Sequence, residues 1–278
     1  MDKLFVIGDP ISQSKSPAIH NYWIKKYSLD AIYDKLQVKE EQIPNLLEKI
    51  RNGEIKGLNI TIPFKKTVIP YLDELESSAQ KSVAVNTIFR RENKLVGTNT
   101  DGKGLLKSIT EDLKFTLNPN FNIFCLGAGG ASYGIISELT NLNPSAIWIS
   151  NRTLTTAKNL VRHFQKFHPN INFSAHHWGE NPESIHNLLI NTTTVGMNEN
   201  DTINLNLNDL PLGALVYDII YNPPKTVLMK KAEERNLRTT NGSFMLVRQA
   251  AEAFTKWFGI EPKNDDIQGA LKILNDNA

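Results

Sequence analysis

The stretch Phe121-Asn-Ile-Phe-Cys-Leu-Gly-Ala-Gly-Gly-Ala-Ser132 passes from an apolar run of strand character, through a glycine-rich turn, into a segment of helical period, Ala131 to Leu142. A strand that feeds a helix through glycines is the opening of a βα unit. A second unit follows at once, with strand Ala146 to Ser150 and helix Leu154 to Phe167. Further strands are predicted at Ile171 to Ala175, Leu188 to Asn191, Ala214 to Ile219 and Leu237 to Thr240. Helices are predicted at Thr226 to Arg235, Phe244 to Phe258 and Asp265 to Leu274. Short β-rich runs alternating with longer helical ones make the fold class α/β, with mostly parallel sheets.

The alternation extends upstream. Leu4 to Gly8 reads as a strand, and Pro17 to Tyr27 as a helix with Ser16 as N-cap and Pro17 at its first position. A strand near Ile32 to Val38 precedes a helix Glu40 to Arg51, whose Ile43, Leu46, Leu47 and Ile50 share one face and which Gly53 ends. Leu58 to Ile62 is extended, and Val83 to Arg90 with Lys94 to Thr98 flank the turn-prone Glu92-Asn93 as a hairpin. The chain of 278 residues, at roughly 150 per domain, favours two domains. Thr116 to Asn120, centred on Leu117-Asn-Pro-Asn120, carries the turn residues expected of a crossover between two sheets, with a helix Gly104 to Phe115 bridging it. The asparagine-rich segment Asn181 to Asp209 reads as a solvated loop.

Charge narrows the function classes. Lys and Arg total 31 against 29 Asp and Glu, a net charge of +2, and the basic residues are spread along the chain. Neither nucleic acid nor an anionic membrane is therefore an expected partner. No apolar run reaches the length of a leader or a membrane span, so a cytoplasmic location is expected. The single cysteine, Cys125, lies in an apolar run and reads as a small buried hydrophobe. No His pair has the spacing of a zinc helix and no CxxC occurs, so no metal site is expected. His20 reads as a hydrogen-bonding helix residue, His176 and His177 as alternating across a strand, and the four tryptophans as core or loop packing.

Two groups of residues point to chemistry. In the first, the glycines at 127, 129 and 130 let the backbone approach a pyrophosphate, whose charge meets free amides at the helix N-terminus. Read alone, the turn also suits a methyltransferase or a mere tight connection, since Ser132 replaces the third glycine of the dinucleotide fingerprint. No Asp or Glu ends the second strand. Asn151-Arg152-Thr153 stands there instead, and an unopposed guanidinium attracts a 2′-phosphate, favouring NADP over NAD; an exposed loop arginine beside a Thr153 helix cap is the plainer reading. In the second group, Ser12, Ser14 and Ser16 precede a helix, Asn59 and Thr61 end a strand, and Asn86, Thr87, Asn99, Thr100 and Asp101 lie at the ends of others. Such short polar groups suit a hydroxylated small molecule if they converge, although each alone is an ordinary cap or turn residue. Lys65 and Asp101 are the candidates for proton transfer, because a ketone that accepts hydride becomes an oxyanion needing both a proton and positive charge. Against this stand a solvated lysine and an aspartate N-cap of the helix beginning near Gly102.

Over nearly its whole length the chain resembles the shikimate dehydrogenase family. The resemblance rests on Gly8-Asp-Pro-Ile-Ser-Gln-Ser-Lys-Ser-Pro-Ala-Ile-His-Asn21, Asn59-Ile-Thr-Ile-Pro-Phe-Lys65, Val85-Asn-Thr87, Asn99-Thr-Asp-Gly102, the glycine turn, Asn151-Arg-Thr153, Asn191-Thr-Thr-Thr-Val-Gly-Met197, Tyr217-Asp-Ile-Ile-Tyr221 and Met245-Leu-Val-Arg-Gln-Ala250, in that order. It implies reversible NADPH-dependent reduction of 3-dehydroshikimate to shikimate, in the pathway to chorismate and the aromatic amino acids. It implies a substrate domain over residues 1–101 to which 242–278 return, a Rossmann-type NADP domain over 102–241, a cleft between them, and a monomer or homodimer. Lys65 and Asp101 would be the catalytic pair. Ser14 and Ser16 would bind the substrate carboxylate, with Thr61, Asn86, Tyr221 and Gln249 around the ring. Gly127, Gly129, Gly130, Ala131 and Ser132 would hold the pyrophosphate and Asn151, Arg152 and Thr153 the adenosine end. Ile219, Gly242 and Met245 would neighbour the nicotinamide.

Three positions depart from the family pattern: Val83 where a glycine is usual, Asn241 for an aspartate before Gly242, and Ile219 where some members place methionine. The Val83 change is expected to tighten or shift the strand that follows. A quinate or dual-specificity member would show weaker serine pairing and an acidic residue after the second strand. A non-catalytic dinucleotide sensor would be expected to lack Lys65 or Asp101.

Overall fold

The computed structural model describes residues 1–118, 120–198 and 200–276. The chain forms two compact units, residues 1–105 with 246 onward, and residues 106–245.

The first unit opens with β1 (Asp2–Gly8), α1 (Ser16–Lys26), β2 (Ala31–Gln37), α2 (Ile43–Arg51) and β3 (Gly57–Ile60). It continues with β4 (Glu74–Leu75), α3 (Ser77–Ser82), β5 (Thr87–Arg91), β6 (Lys94–Thr98) and the start of α4 (Asp101–Lys107). The six strands form one sheet in the order β2-β1-β3-β5-β6-β4. Its first three strands are parallel, as right-handed βαβ crossovers require. β3-β5 and β5-β6 are antiparallel, the second pair because the predicted hairpin forms at Glu92-Asn93, with Glu92 at φ 56°. Ile43, Leu46, Leu47 and Ile50 are buried against Ile7, Leu58 and Ile88, the face that their spacing marks as apolar.

Val83 lies outside the strand predicted to contain it. It terminates α3, a helix the sequence reading missed, and takes φ 47° and ψ 39° while 39% exposed. The left-handed region suits glycine at a helix C-terminus and is strained for a β-branched side chain. Val83→Gly is expected to raise stability by about 1 kcal/mol, the relieved strain outweighing the added chain entropy. A urea midpoint at or below that of the parent would show that the valine is not strained there.

The second unit holds β7 (Asn122–Leu126), α5 (Gly130–Leu139), β8 (Ala146–Asn151), α6 (Leu154–Gln165), β9 (Asn172–His177) and β10 (Leu188–Asn191). β11 (Leu215–Asp218), α7 (Val227–Glu234) and β12 (Arg238–Thr240) complete its sheet. All pairings are parallel, in the order β12-β11-β10-β7-β8-β9. Counted within the unit this is 3-2-1-4-5-6, the doubly wound order, whose direction reverses between β7 and β10. Ligands of such sheets bind at the carboxyl ends of the strands flanking that reversal, where the glycine turn after β7 and Thr192 after β10 lie.

The chain leaves the first unit within α4 and re-enters it within α8 (Ser243–Phe258), which α9 (Asn264–Asp276) follows. These crossings differ by only a few residues from the expected limits 101/102 and 241/242, whereas the other expected boundary, Thr116 to Asn120, falls inside the second unit and includes Pro119, outside the described residues. The helix predicted to bridge it is α4 continued by a π-helical turn, Ser108–Asp112.

Candidate functional site

In the first unit, β3 ends at Ile60 and delivers Thr61 and Lys65, while α4 begins at Asp101 immediately after β6 and Asn99-Thr100. Lys65 Nζ donates to Asp101 Oδ2 at 2.5 Å, with side chains only 15% and 8% exposed. The two reasons to discount them fall together. Lys65 is not a solvated lysine, and the turn before α4 is closed by Asn99, whose Oδ1 accepts from Asp101 N at 3.0 Å. The aspartate carboxylate is thereby free to face Lys65. Its other oxygen, Oδ1, accepts from Asn86 Nδ2 at 2.8 Å.

Asn86 is the node of this wall. Its Oδ1 accepts from Thr100 N and from Thr87 Oγ1, both at 2.9 Å, which orients the amide with Nδ2 toward Asp101. Gln249 on α8 places Oε1 3.4 Å from Asn86 Nδ2 and 3.4 Å from Thr100 Oγ1. Ser14 is half-buried, and its Oγ accepts from Ser16 N at 3.4 Å. Ser16 is buried as the first residue of α1, with Lys15 rather than Ser16 as N-cap. The first unit thus carries Ser14, Ser16, Thr61, Lys65, Asn86, Asp101 and Gln249, whereas Tyr221 belongs to the second.

His20 corrects its reading as a hydrogen-bonding helix residue. It is fully buried, and neither ring nitrogen has a hydrogen-bond partner among the described residues. Instead the ring stacks on Tyr33 at 4.2 Å within a cluster of Trp23, Phe254 and Trp257. Burial lowers its pKa to about 3.

The second unit contains the glycine turn. Gly127 has φ 103°, and a Cβ there would lie 2.6 Å from Thr192 Oγ1, so the chain itself demands glycine. Gly129 differs, because a Cβ built on it meets nothing within 4 Å and its φ is −86°. Among the described residues no neighbour explains that glycine, and the open space in front of it leads to the N-terminus of α5, which has no side-chain cap. This is the cradle a pyrophosphate requires: close backbone approach and free amides. Ser132, expected with the glycines and Ala131 at the pyrophosphate, has its side chain engaged within the chain. Its hydroxyl is buried and donates to Thr192 Oγ1 at 2.7 Å, whose own proton goes to Leu126 O, so the helix start offers its amides only.

Asn151 ties the end of β8 to the glycine turn, accepting from Ala128 N at 3.2 Å and donating to Thr153 O at 2.9 Å. Arg152 next to it is exposed, and Thr153 is the N-cap of α6 without a side-chain bond. At the end of β11, Asp218 is fully buried and accepts from Asn191 Nδ2, Thr226 Oγ1 and Ile220 N. Burial raises its pKa against those three donors. The cluster holds Ile219, whose carbonyl oxygen would lie 1.9 Å from a Cβ on Gly242, so only glycine permits that approach. Asn241 donates to Pro224 O at 2.8 Å and accepts from Ser243 N at 3.0 Å; a carboxylate could not make the first bond. Met245 is buried, and Cys125 is buried with its thiol pushed up to about 12.

Comparison with known proteins gives a consistent result. The family model described as shikimate dehydrogenase substrate binding domain matches residues 6–88. A shikimate dehydrogenase (NADP(+)) of Pelagibacter ubique is 42% identical over 266 residues, 95% of this chain and 97% of that protein. Among solved structures, a shikimate dehydrogenase in complex with NADP+ superposes with a TM-score of 0.90 at 32% identity, covering 100% of this chain and 96% of that one. A 5-ketofructose reductase from a Gluconobacter strain gives 0.89 at 28% identity, covering 100% and 99%.

Proposed function

Because this chain belongs to the shikimate dehydrogenase family, we propose that it catalyses the reversible NADPH-dependent reduction of 3-dehydroshikimate to shikimate, the step that leads toward chorismate and the aromatic amino acids. The observation that carries the mechanism is the contact between Lys65 and Asp101, 36 residues apart in sequence, within a wall of hydrogen-bonding side chains. When bound, the nicotinamide supplies or accepts the hydride. Lys65 Nζ gives a proton to the oxygen that becomes the 3-hydroxyl and stabilises the negative charge developing there. Asp101, held by Asn86, keeps the ammonium aimed at that oxygen, and in the reverse direction the same Nζ, as the neutral amine, takes that proton back.

Around this pair, Ser14 and Ser16 bind the carboxylate, and Thr61, Asn86, Gln249 and Tyr221 the ring hydroxyls. The first unit is the substrate domain and the second the NADP domain. Backbone amides of Gly129, Gly130, Ala131 and Ser132 receive the pyrophosphate, Asn151 and Thr153 frame the adenosine, and Ile219, Gly242 and Met245 line the nicotinamide. A lone buried cysteine, with no partner for a disulfide, suits a cytoplasmic enzyme.

NADP-dependent oxidation of shikimate and of quinate, assayed side by side with NAD as second cofactor, tests this reading. Turnover of shikimate with NADP is expected to exceed the other three combinations. No turnover of shikimate, or a preference for a substrate without a carboxylate, would overturn it. Arg152 is the reader of the 2′-phosphate, so Arg152→Asp is expected to weaken NADPH binding about 10²-fold while changing NADH binding less than about threefold. Equal losses for the two cofactors, followed by nicotinamide fluorescence, would remove the arginine from that role.

A further inference from the structure

Behind the Lys65–Asp101 pair a line of buried side chains runs deep into the first unit. Tyr33 Oη donates to Asn59 Oδ1 at 2.6 Å, and both residues are buried. With its oxygen so occupied, Asn59 directs Nδ2 to Thr87 Oγ1 at 3.0 Å and to Asn86 O at 3.0 Å. Thr87 is fully buried; having accepted from Asn59, its hydroxyl has one proton left, which it donates to Asn86 Oδ1 at 2.9 Å. Asn86 Nδ2 then donates to Asp101 Oδ1, and Lys65 Nζ to Asp101 Oδ2.

Each link has one allowed direction. A buried phenol keeps its proton, as burial pushes its pKa well up, and because Asn59 Nδ2 faces the backbone oxygen of Asn86, which only accepts, the phenolic proton goes to Asn59 Oδ1. An amide that accepts at one end must donate at the other, and a hydroxyl that accepts from it must pass its proton onward. The line ends at a carboxylate, the one group in it that accepts without donating.

We propose that Tyr33 and Thr87 are positioning residues of the catalytic site: their hydroxyls lock the amides of Asn59 and Asn86 so that Asn86 presents its NH2 group to Asp101 and to substrate. The proposal rests on the reading of Lys65, Asn86 and Asp101 as the site of shikimate oxidation. Thr100 N already holds the same Asn86 oxygen, so removal of the Thr87 hydroxyl loosens the amide rather than inverting it.

The test uses the full chain with shikimate and NADP. Thr87→Val preserves shape and removes the hydroxyl, and about a tenfold fall in kcat is expected, with about a fivefold rise in the KM for shikimate and no change in the KM for NADP. Thr87→Ser is expected to restore both values to within about twofold, because the donor returns. A variant that merely folds in lower yield loses kcat with the shikimate KM intact, and that result would overturn the proposal. So would parent-like constants for Thr87→Val, or failure of Thr87→Ser to recover them. If Thr87→Val does not fold, Tyr33→Phe, which keeps the ring and loses the phenolic proton, is measured by the same criteria. Failure of the parent chain itself to oxidise shikimate would instead defeat the functional reading, and the two failures are distinct.

Discussion

Replacing Lys65 by alanine is expected to lower kcat by about 10²-fold or more, the usual scale of general acid–base catalysis, while the KM for shikimate changes much less. The split follows from the geometry. The ammonium faces Asp101 at 2.5 Å, and in the proposed site its main part is played where charge develops, at the reacting oxygen, whereas Asn86 and Gln249 are assigned to the ring and the two serines to the carboxylate. Removal of Lys65 leaves Asp101 a buried carboxylate, but one that still accepts from Asn86 Nδ2 and whose backbone is capped by Asn99. The fold is therefore expected to survive. Lys65→Met, which retains most of the side-chain volume, separates loss of the proton donor from loss of packing. A turnover number for either variant within about threefold of the parent would refute a proton-transfer role, since general acid catalysis is not that small an effect.

Acid is expected to destabilise the first unit through His20. Its pKa is about 3 in the fold, held down by burial among Tyr33, Trp23, Phe254 and Trp257, against about 6.5 in an unfolded chain. Above pH 6.5 the ring is neutral in both states and nothing is lost. As pH falls below 6.5 the unfolded chain binds a proton that the fold refuses, so stability declines until pH approaches 3 and then levels off. Between pH 6.5 and 4 the loss from this one group is about 3 kcal/mol. The Asn59 side chain beside the ring offsets burial only in part, because its groups are engaged by Tyr33, Thr87 and Asn86. His20→Phe keeps an aromatic ring in the cluster and cannot be protonated. Urea midpoints of parent and variant are expected to diverge as pH falls from 7 to 4, with the variant holding its stability. Parallel pH dependences would mean that His20 is protonated in the fold or exposed on acidification.

Much of this was legible in local patterning. The βα repeats, the amphipathic spacing of α2, the hairpin at Glu92-Asn93 and the glycine turn before α5 are short-range features, set by side-chain period and backbone freedom within a few residues. Val83 and α3 were not legible, because a six-residue helix carries little periodic signal and a valine gives no hint of a left-handed conformation that tertiary packing imposes. His20 was misread for a related reason. A histidine one helical turn into α1 looks like a polar helix residue until the aromatic groups of β2 and α8 close around it.

The order of its motifs along the chain was enough to place this protein in its family and to name Lys65 and Asp101 as candidates. What tertiary structure alone decided is which polar groups meet. Asn99 closes the turn and so releases Asp101 from that duty; Thr192 makes glycine obligatory at 127, while nothing among the described residues does so at 129; and Tyr33, unremarkable on an edge strand, donates the first proton of a line that ends at the Asp101 carboxylate. The physical reason is that a buried hydrogen bond depends on the direction and burial of groups brought together from distant segments, and sequence specifies those only through the fold as a whole.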